Sequence, residues 1–340
     1  MNSNPLDGFD FRSDGFFFDA FGAPCIVVGT VEFTDFWNAF DACFTSPLGR
    51  KLIYAAADAE EEILRGAEQV QFGKWLGRRR AEKGLSERSM RMGWGRFVSD
   101  RIHLPANDAL TVGFVLAHQE FLQRQRFELE WNQSTAEHIS VKLKPNQQVV
   151  TAPLPINHLA WLSSKGEEHT LSQPRPIEID HRGSALYFGQ ARSFFLPVAV
   201  IQRLVGGLRG RPASPGGEAS HFVIQSSVEE PELFRAVVHA AYAAYQRTEH
   251  PVYLQGSSDW DGHLTQHISC RGYGHVDVVQ SILDGHASTV FVIASHLPGM
   301  VAGAVLGMWS RAHGKRGDAS FSMADGLLRM TVGEFRIKYD

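Results

Sequence analysis

Leu196-Pro-Val-Ala-Val-Ile-Gln-Arg-Leu-Val-Gly206 and Leu297-Pro-Gly-Met-Val-Ala-Gly-Ala-Val-Leu-Gly307 are the stretches on which the reading of the fold turns. Each opens with Leu-Pro and reaches a glycine ten residues after the leucine, as expected of a helix that a proline starts and a glycine ends. Gly217-Glu-Ala-Ser220 and Gly317-Asp-Ala-Ser320 follow them, so both anchors recur at a spacing of about one hundred residues. Gly93-Trp-Gly95 and Gly272-Tyr-Gly274 form a third pair, followed by Thr111-Val-Gly-Phe-Val-Leu-Ala-His118 and Thr289-Val-Phe-Val-Ile-Ala-Ser-His296. Their spacing is near 178, so the two registers agree only if the first copy carries extra residues between about 119 and 183. The expectation is a tandem duplication.

Working outward, apolar residues from Phe33 to Val70 recur at spacings of three and four with a break near Ser46-Pro47, which predicts two amphipathic helices. After Gly84 come short runs rich in β-branched and aromatic residues: 110–116, 126–131, 139–143 and 176–180. Pro, Asn and Gly separate them, as in an antiparallel sheet. Residues 206–220 are the strongest linker candidate. The second half predicts a helix over about 230–246, strands near 267–270 and 288–295, a helix from Pro298, and two strands near Phe321 and over 329–337. The fold class is therefore α+β, built as two similar modules, each an antiparallel sheet with packed helices. The boundaries are a Phe/Asp/Gly-rich arm at 1–30, a first module at 31–227 with its insertion near 119–183, and a second module at 228–340.

The 340 residues are 44% hydrophobic and 21% charged, which suits a folded globular chain. Thirty-three basic against 37 acidic residues give a net charge of -4, so the whole surface is unsuited to nucleic acid or an anionic membrane, although a local patch is not. Three cysteines (Cys25, Cys43, Cys270) without a C-x-x-C pair encode neither a disulfide framework nor a structural zinc site. The start lacks a basic and apolar leader and no apolar run reaches membrane-span length, so the expected location is cytoplasmic.

Several stretches are site candidates. The Asp-Gly-Phe repeat around Phe16, Phe17 and Phe18 either packs on the body of the protein or docks on a protein partner. With Trp94, Trp131, Tyr273 and Trp309 these aromatics are the candidate lining of a ligand or partner site. Lys74, Arg78, Arg79, Arg80, Arg88, Arg91 and Arg96, interleaved with Phe72, Trp75 and Trp94, form the candidate polyanion surface; the alternative is a solvated basic face. Gly299, Gly303 and Gly307 leave one helix face without side chains, for packing on the chain's own sheet or for a helix pair across a homo-oligomer. His263 and His267 share a face whether helical or extended. On a strand, which their flanking residues favour, they lie about 13 Å apart and cannot chelate one ion, so a metal is a weak expectation and no cofactor is implied. No Gly-x-Ser-x-Gly, Cys-His pair or phosphate-cradling loop is present.

The order helix, strands, small-residue helix and terminal strand pair resembles the 4-vinyl reductase domain family. Arg126-Phe-Glu-Leu-Glu-Trp-Asn-Gln-Ser-Thr-Ala-Glu137 carries the likeness in the first copy. That family includes the N-terminal sensor domains of aromatic-responsive bacterial activators. Trp131-Asn-Gln-Ser134 and Glu137 match its Trp-x-x-Ser and acidic pattern in the first copy only, while the terminal hairpin from Phe321 to Phe335 lacks the family's cysteine. The resemblance implies a mixed α/β module that pairs and holds a small apolar ligand. Together these readings predict a non-catalytic binding, scaffold or sensor protein. The alternatives are polyanion binding through 65–101 and a metal-dependent enzyme using the second-half histidines.

Overall fold

A computed structural model describes residues 6–70, 77–98, 100–164, 179–216, 222–224, 228–283 and 287–334. The chain opens with β1 (Asp10–Phe11), β2 (Phe17–Phe18) and β3 (Pro24–Gly29), followed by α1 (Thr30–Asp41). The Glu32 carboxylate accepts from the Gly29 N–H and so caps the start of α1. Next come α2 (Lys51–Gly66), α3 (Gly77–Arg91), β4 (Arg96–Val98), β5 (Arg101–His103), α4 (Asp108–Gln123), β6 (Arg126–Thr135) and β7 (His138–Asn146). A single helical turn at Ala160–Leu162 leads to β8 (Ile179–Arg182), β9 (Ala185–Phe188), β10 (Ala191–Pro197), α5 (Val198–Gly206) and β11 (Phe222–Ile224). The rest is α6 (Pro231–Arg247), α7 (Asp259–His267), β12 (His275–Ile282), β13 (Ser288–Ala294), α8 (Pro298–His313), β14 (Gly317–Ala324) and β15 (Leu327–Glu334). The chain is α+β.

Three sheets organise these elements: a six-stranded one in the order β1-β2-β3-β10-β9-β8, a four-stranded one in the order β4-β5-β7-β6, and a five-stranded one in the order β11-β14-β15-β13-β12. All neighbours are antiparallel except β11 and β14. The region expected as a separate arm supplies β3 to the middle of the first sheet, where it pairs with β10. One continuous apolar core runs from Phe17 to Val332 and includes the interior of all the larger helices but α3.

Two parts of the chain run through the same succession. In the first, α2, α3, Gly93-Trp-Gly95, β4, β5, α4, β6 and β7 follow one another; in the second, α6, α7, Gly272-Tyr-Gly274, β12, β13, α8, β14 and β15 do. The strands pair in the matching orders β4-β5-β7-β6 and β12-β13-β15-β14. Both Gly-aromatic-Gly turns hold their glycines at positive φ: 74° and 102° at Gly93 and Gly95, 84° and 94° at Gly272 and Gly274. Side chains rarely adopt that conformation. In both parts a helix crossing closes on a glycine. A Cβ on Gly113 would collide with the Ile53 carbonyl oxygen and meet the Ala56 Cβ and Ala57 nitrogen. One on Gly303 would meet the Val238 oxygen, the Ala241 Cβ and the Tyr242 nitrogen. The counterpart of α8 is thus α4. The paired Leu-Pro motifs and the paired Thr111 and Thr289 segments fall on elements that do not correspond.

Two expected strands are helices. The run 110–116 lies inside α4, whose start is fixed by the Asn107 side chain accepting from the Leu110 N–H at 3.3 Å. The helix is buried on nearly every side between α2 and the four-stranded sheet, so its apolar run has no amphipathic period to separate it from a strand. His263 and His267 lie on α7, and Ser269–Arg271 is a single helical turn. Here the Asp259 carboxylate accepts from the Gln255 and Gly256 N–H groups and closes the preceding loop against the helix start.

Candidate functional site

The site is built where α1, α6, α7 and α8 converge. Val28 on β3, Phe36 on α1, Ala241 and Ala244 on α6, and Met300, Val301, Ala304 and Met308 on α8 line an apolar chamber of about 30 Å³, enough for a water or two. Its polar groups are Glu32, Tyr245, His267, Arg271 and Tyr273. Small residues make room: Ala241, Ala244 and Ala304 face one another where the glycine crossing draws α6 and α8 together.

Arg271 fixes one wall. Its guanidinium donates from Nε to the Val27 carbonyl at 3.0 Å and from Nη1 to Glu32 at 3.1 Å, and its Nη2 pairs with the second Glu32 oxygen. The ion pair joins the turn after α7 to α1. Arg311 reaches the end of α6, donating to the Tyr245 carbonyl at 3.1 Å and the His250 carbonyl at 2.6 Å while its cation lies 4.9 Å from the Tyr245 ring centroid. Tyr245 is only 4% exposed, and its hydroxyl finds no hydrogen-bond partner among the described residues. Burial pushes its pKa up to about 12, so the hydroxyl keeps its proton at neutral pH. Burial, with the nearby His250, Arg271, His263 and Arg311, holds His267 down at about 3, so its imidazole is neutral. Tyr273 is raised by burial as well. The chamber therefore combines an apolar body with a hydroxyl that has no partner among the described residues and a neutral imidazole.

In the first part of the chain the polar residues at the matching positions bond one another. Arg88 on α3, 5% exposed, gives Nε and Nη2 to the two oxygens of Glu60 on α2, at 2.7 and 2.9 Å, and Nη1 to Asp19 at 2.7 Å. His118 on α4 bonds to the same Glu60 at 2.9 Å. Asp19 in turn accepts from the Phe21 and Ala23 N–H groups, which ties the turn between β2 and β3 to this cluster. Burial alone would raise Glu60, but the Arg88 charge and the hydrogen bonds from His118 and Arg88 outweigh it and hold it at about 2. Trp94 stacks on Phe114 at 3.8 Å, donates to the Phe195 carbonyl at 2.7 Å, and lies beneath the Arg88 guanidinium.

The candidate residues from the sequence divide accordingly. Tyr273 and His267 meet at the chamber. Trp94 and Trp309 are buried, Trp309 donating to Thr289 at 3.2 Å. Trp131 lies apart, with Trp37, Arg50 and Arg192 in an open groove. Phe17 is buried and pairs with Cys25, Phe16 bridges to Tyr273 and packs on His296, and Phe18 pairs with Pro24, so the Phe-rich segment packs on the chain's own body. Gly299, Gly303 and Gly307 face Val237, the Val238–Tyr242 backbone and Tyr245, so their face is closed by α6 of the same chain and not by another copy. Arg88 leaves the basic surface for the buried cluster, and Arg91 is half-buried with a bond to the Asp7 carbonyl. Arg78, Arg79, Arg80 and Arg96 are exposed, while Lys74, Phe72 and Trp75 lie outside the described residues, as does Gly217–Ser220. The rings of His263 and His267 are nearly parallel with centroids 6.4 Å apart, and His263 bonds to the Tyr253 carbonyl. Among the described residues no three His, Cys, Asp or Glu side chains are grouped to hold a metal ion, and no helix is long and apolar enough to cross a membrane.

Sequence reasoning missed Tyr245, Glu32 and Arg271, and the Glu60–Arg88 pair. Glu60 left a signal: it falls seven residues after Ile53 and four after Ala56, on the apolar face of α2, where a carboxylate needs a buried partner. Tyr245 left none, since a tyrosine suits an apolar helix face. No protein-family model, curated protein or solved structure matches the chain.

Proposed function

We propose that the protein is a non-catalytic binding or sensor protein that holds a small, mainly apolar ligand in the chamber between α6 and α8, and that its two corresponding parts are copies of one module. The observation that carries the reading is Tyr245, a residue lining the cavity whose buried hydroxyl has no partner among the described residues. A buried polar group left unpaired costs about 1–3 kcal/mol, which a ligand with one hydrogen-bonding group would recover. Met300 and Met308 in the wall supply adaptability, because unbranched thioether side chains reorient to admit a guest larger than the resting cavity. The reading accords with the resemblance to 4-vinyl reductase domains.

Native mass spectrometry of protein purified from its own host, at gentle and denaturing settings, tests it. The expected result is a mass excess that denaturation removes and that Tyr245→Phe diminishes; a bare chain at both settings overturns the reading. A second reading, polyanion binding, rests on Arg78, Arg79 and Arg80, exposed side by side at the start of α3 with no acidic residue in its first turn. A steep fall in affinity for a single-stranded oligonucleotide with rising salt would favour it.

A further inference from the structure

The two crossings place corresponding residues in register. Phe114 follows Gly113 as Ala304 follows Gly303, and His118 and Met308 lie five residues after those glycines. Glu60 stands seven residues after Ile53 as Tyr245 stands seven after Val238; Arg88 precedes Gly93 by five residues as His267 precedes Gly272. Each member of the second set lines the chamber. Each member of the first touches another member or Trp94, the counterpart of Tyr273: Phe114 stacks on Trp94, Arg88 lies over Trp94, and Glu60 bonds both Arg88 and His118.

From this we infer that the first part of the chain carries a closed counterpart of the chamber, in which the Phe114 side chain occupies the space left open beside Tyr273 by Ala304. The residue after the crossing glycine decides which of the two chambers is open, and it is the one in the second part. The physical basis is volume. A phenyl group on α4 fills the space over the Trp94 ring, whereas a methyl group on α8 leaves the space over Tyr273 to a guest. The polar positions diverge in the same sense: Glu60, Arg88 and His118 satisfy one another, while the hydroxyl of Tyr245 is left without a partner. The choice of guest rests on the function proposed above; the open and closed states of the two chambers do not.

Xenon titration of the full chain, followed by the ¹²⁹Xe chemical shift, separates the two ideas, because xenon enters small dry apolar cavities whatever the natural ligand is. The unaltered chain should take up one saturable xenon. Ala304→Phe, with Ala304→Leu as a smaller plug, should abolish uptake, with the melting temperature lowered more by the phenylalanine because its ring exceeds the chamber. Phe114→Ala should lower the melting temperature and add a second saturable site; if that chain does not fold, Phe114→Val is the substitute and should show a weaker second site. Retained uptake in folded Ala304→Phe and Ala304→Leu, or a folded Phe114 variant with no second site, overturns the inference. Xenon uptake that follows this pattern in a chain carrying no ligand from its host would sustain the inference and defeat the proposed function.

Discussion

The interior of α2, α3 and α4 and that of α6, α7 and α8 are built on the same crossing and have opposite contents. The first holds a Trp94–Phe114 stack and an ion cluster in which Glu60 is wholly buried. The second keeps a small chamber walled by alanine and methionine, with one unpaired hydroxyl. A backbone arrangement does not dictate what its interior does: side-chain volume at one helical position and the satisfaction of a few polar groups decide between a structural plug and a site.

The largest effect should come from the plug. Arg88→Met leaves Glu60 and Asp19 buried without their cation, and breaking such a pair costs about 3–5 kcal/mol. Arg271→Met should cost less, because the Glu32 side chain is 24% exposed and water can take the place of the guanidinium. Urea denaturation of both variants checks the ranking, and equal losses would break the contrast between a sealed cluster and an open one.

Gly303→Ala and Gly113→Ala each drive a methyl group into the backbone of the facing helix and should cost at least about 3 kcal/mol, the upper range of overpacking. Gly299→Ala meets side chains and no backbone, Val237 at 3.1 Å, Trp161 at 3.6 Å and Phe234 at 3.7 Å, and should cost under about 1 kcal/mol. Thermal melts of the three would show whether both crossings are equally tight.

Acid should separate the two parts. His267 is held down to about 3 from 6.5, so the unfolded chain takes up its proton first and the associated stability, complete above pH 6.5, is lost as pH falls from 6.5 to 3. Glu60 is depressed from 4.5 to about 2, so its contribution is complete above pH 4.5 and is lost between 4.5 and 2. The chamber side weakens first. His267→Asn should flatten the stability curve between pH 6.5 and 4.5 while leaving the lower drop; an unchanged upper slope would show that His267 does not set it.

Tyr245→Phe removes an unpaired buried hydroxyl and should stabilise ligand-free protein by about 1 kcal/mol. A loss of stability would mean that the hydroxyl has a partner in solution. The smallest effect belongs to Arg78→Glu, Arg79→Glu and Arg80→Glu combined, exposed changes expected to move stability by under about 0.5 kcal/mol each. Oligonucleotide binding that survives the triple change would clear this face of a polyanion role.

How far the sequence could be read follows from where its signals are local. The amphipathic helices of 33–70, the helix near 230–246 and the helix opened by Pro298 were legible because period, proline and glycine act within a few residues. So was the recurrence of a Gly-aromatic-Gly turn, although the offset drawn from the Leu-Pro pair matched α8 to α5 and not to α4. The run 110–116 misled because a helix buried on all sides loses its polar stripe. Arg88 was indistinguishable from its exposed neighbours, because only the approach of Glu60 and Asp19 from distant segments makes it a core residue.

By itself the sequence determined the α+β class and the glycine-lined helix. Tertiary structure decided that the glycines meet α6, that Arg88 is buried, and that Tyr245, whose hydroxyl has no partner among the described residues, lines a chamber together with Ala304. The division is physical. Turn and helix signals are carried by residues adjacent in the chain, whereas burial, pairing and cavity volume depend on residues brought together across a hundred positions or more, as Glu32 and Arg271 are.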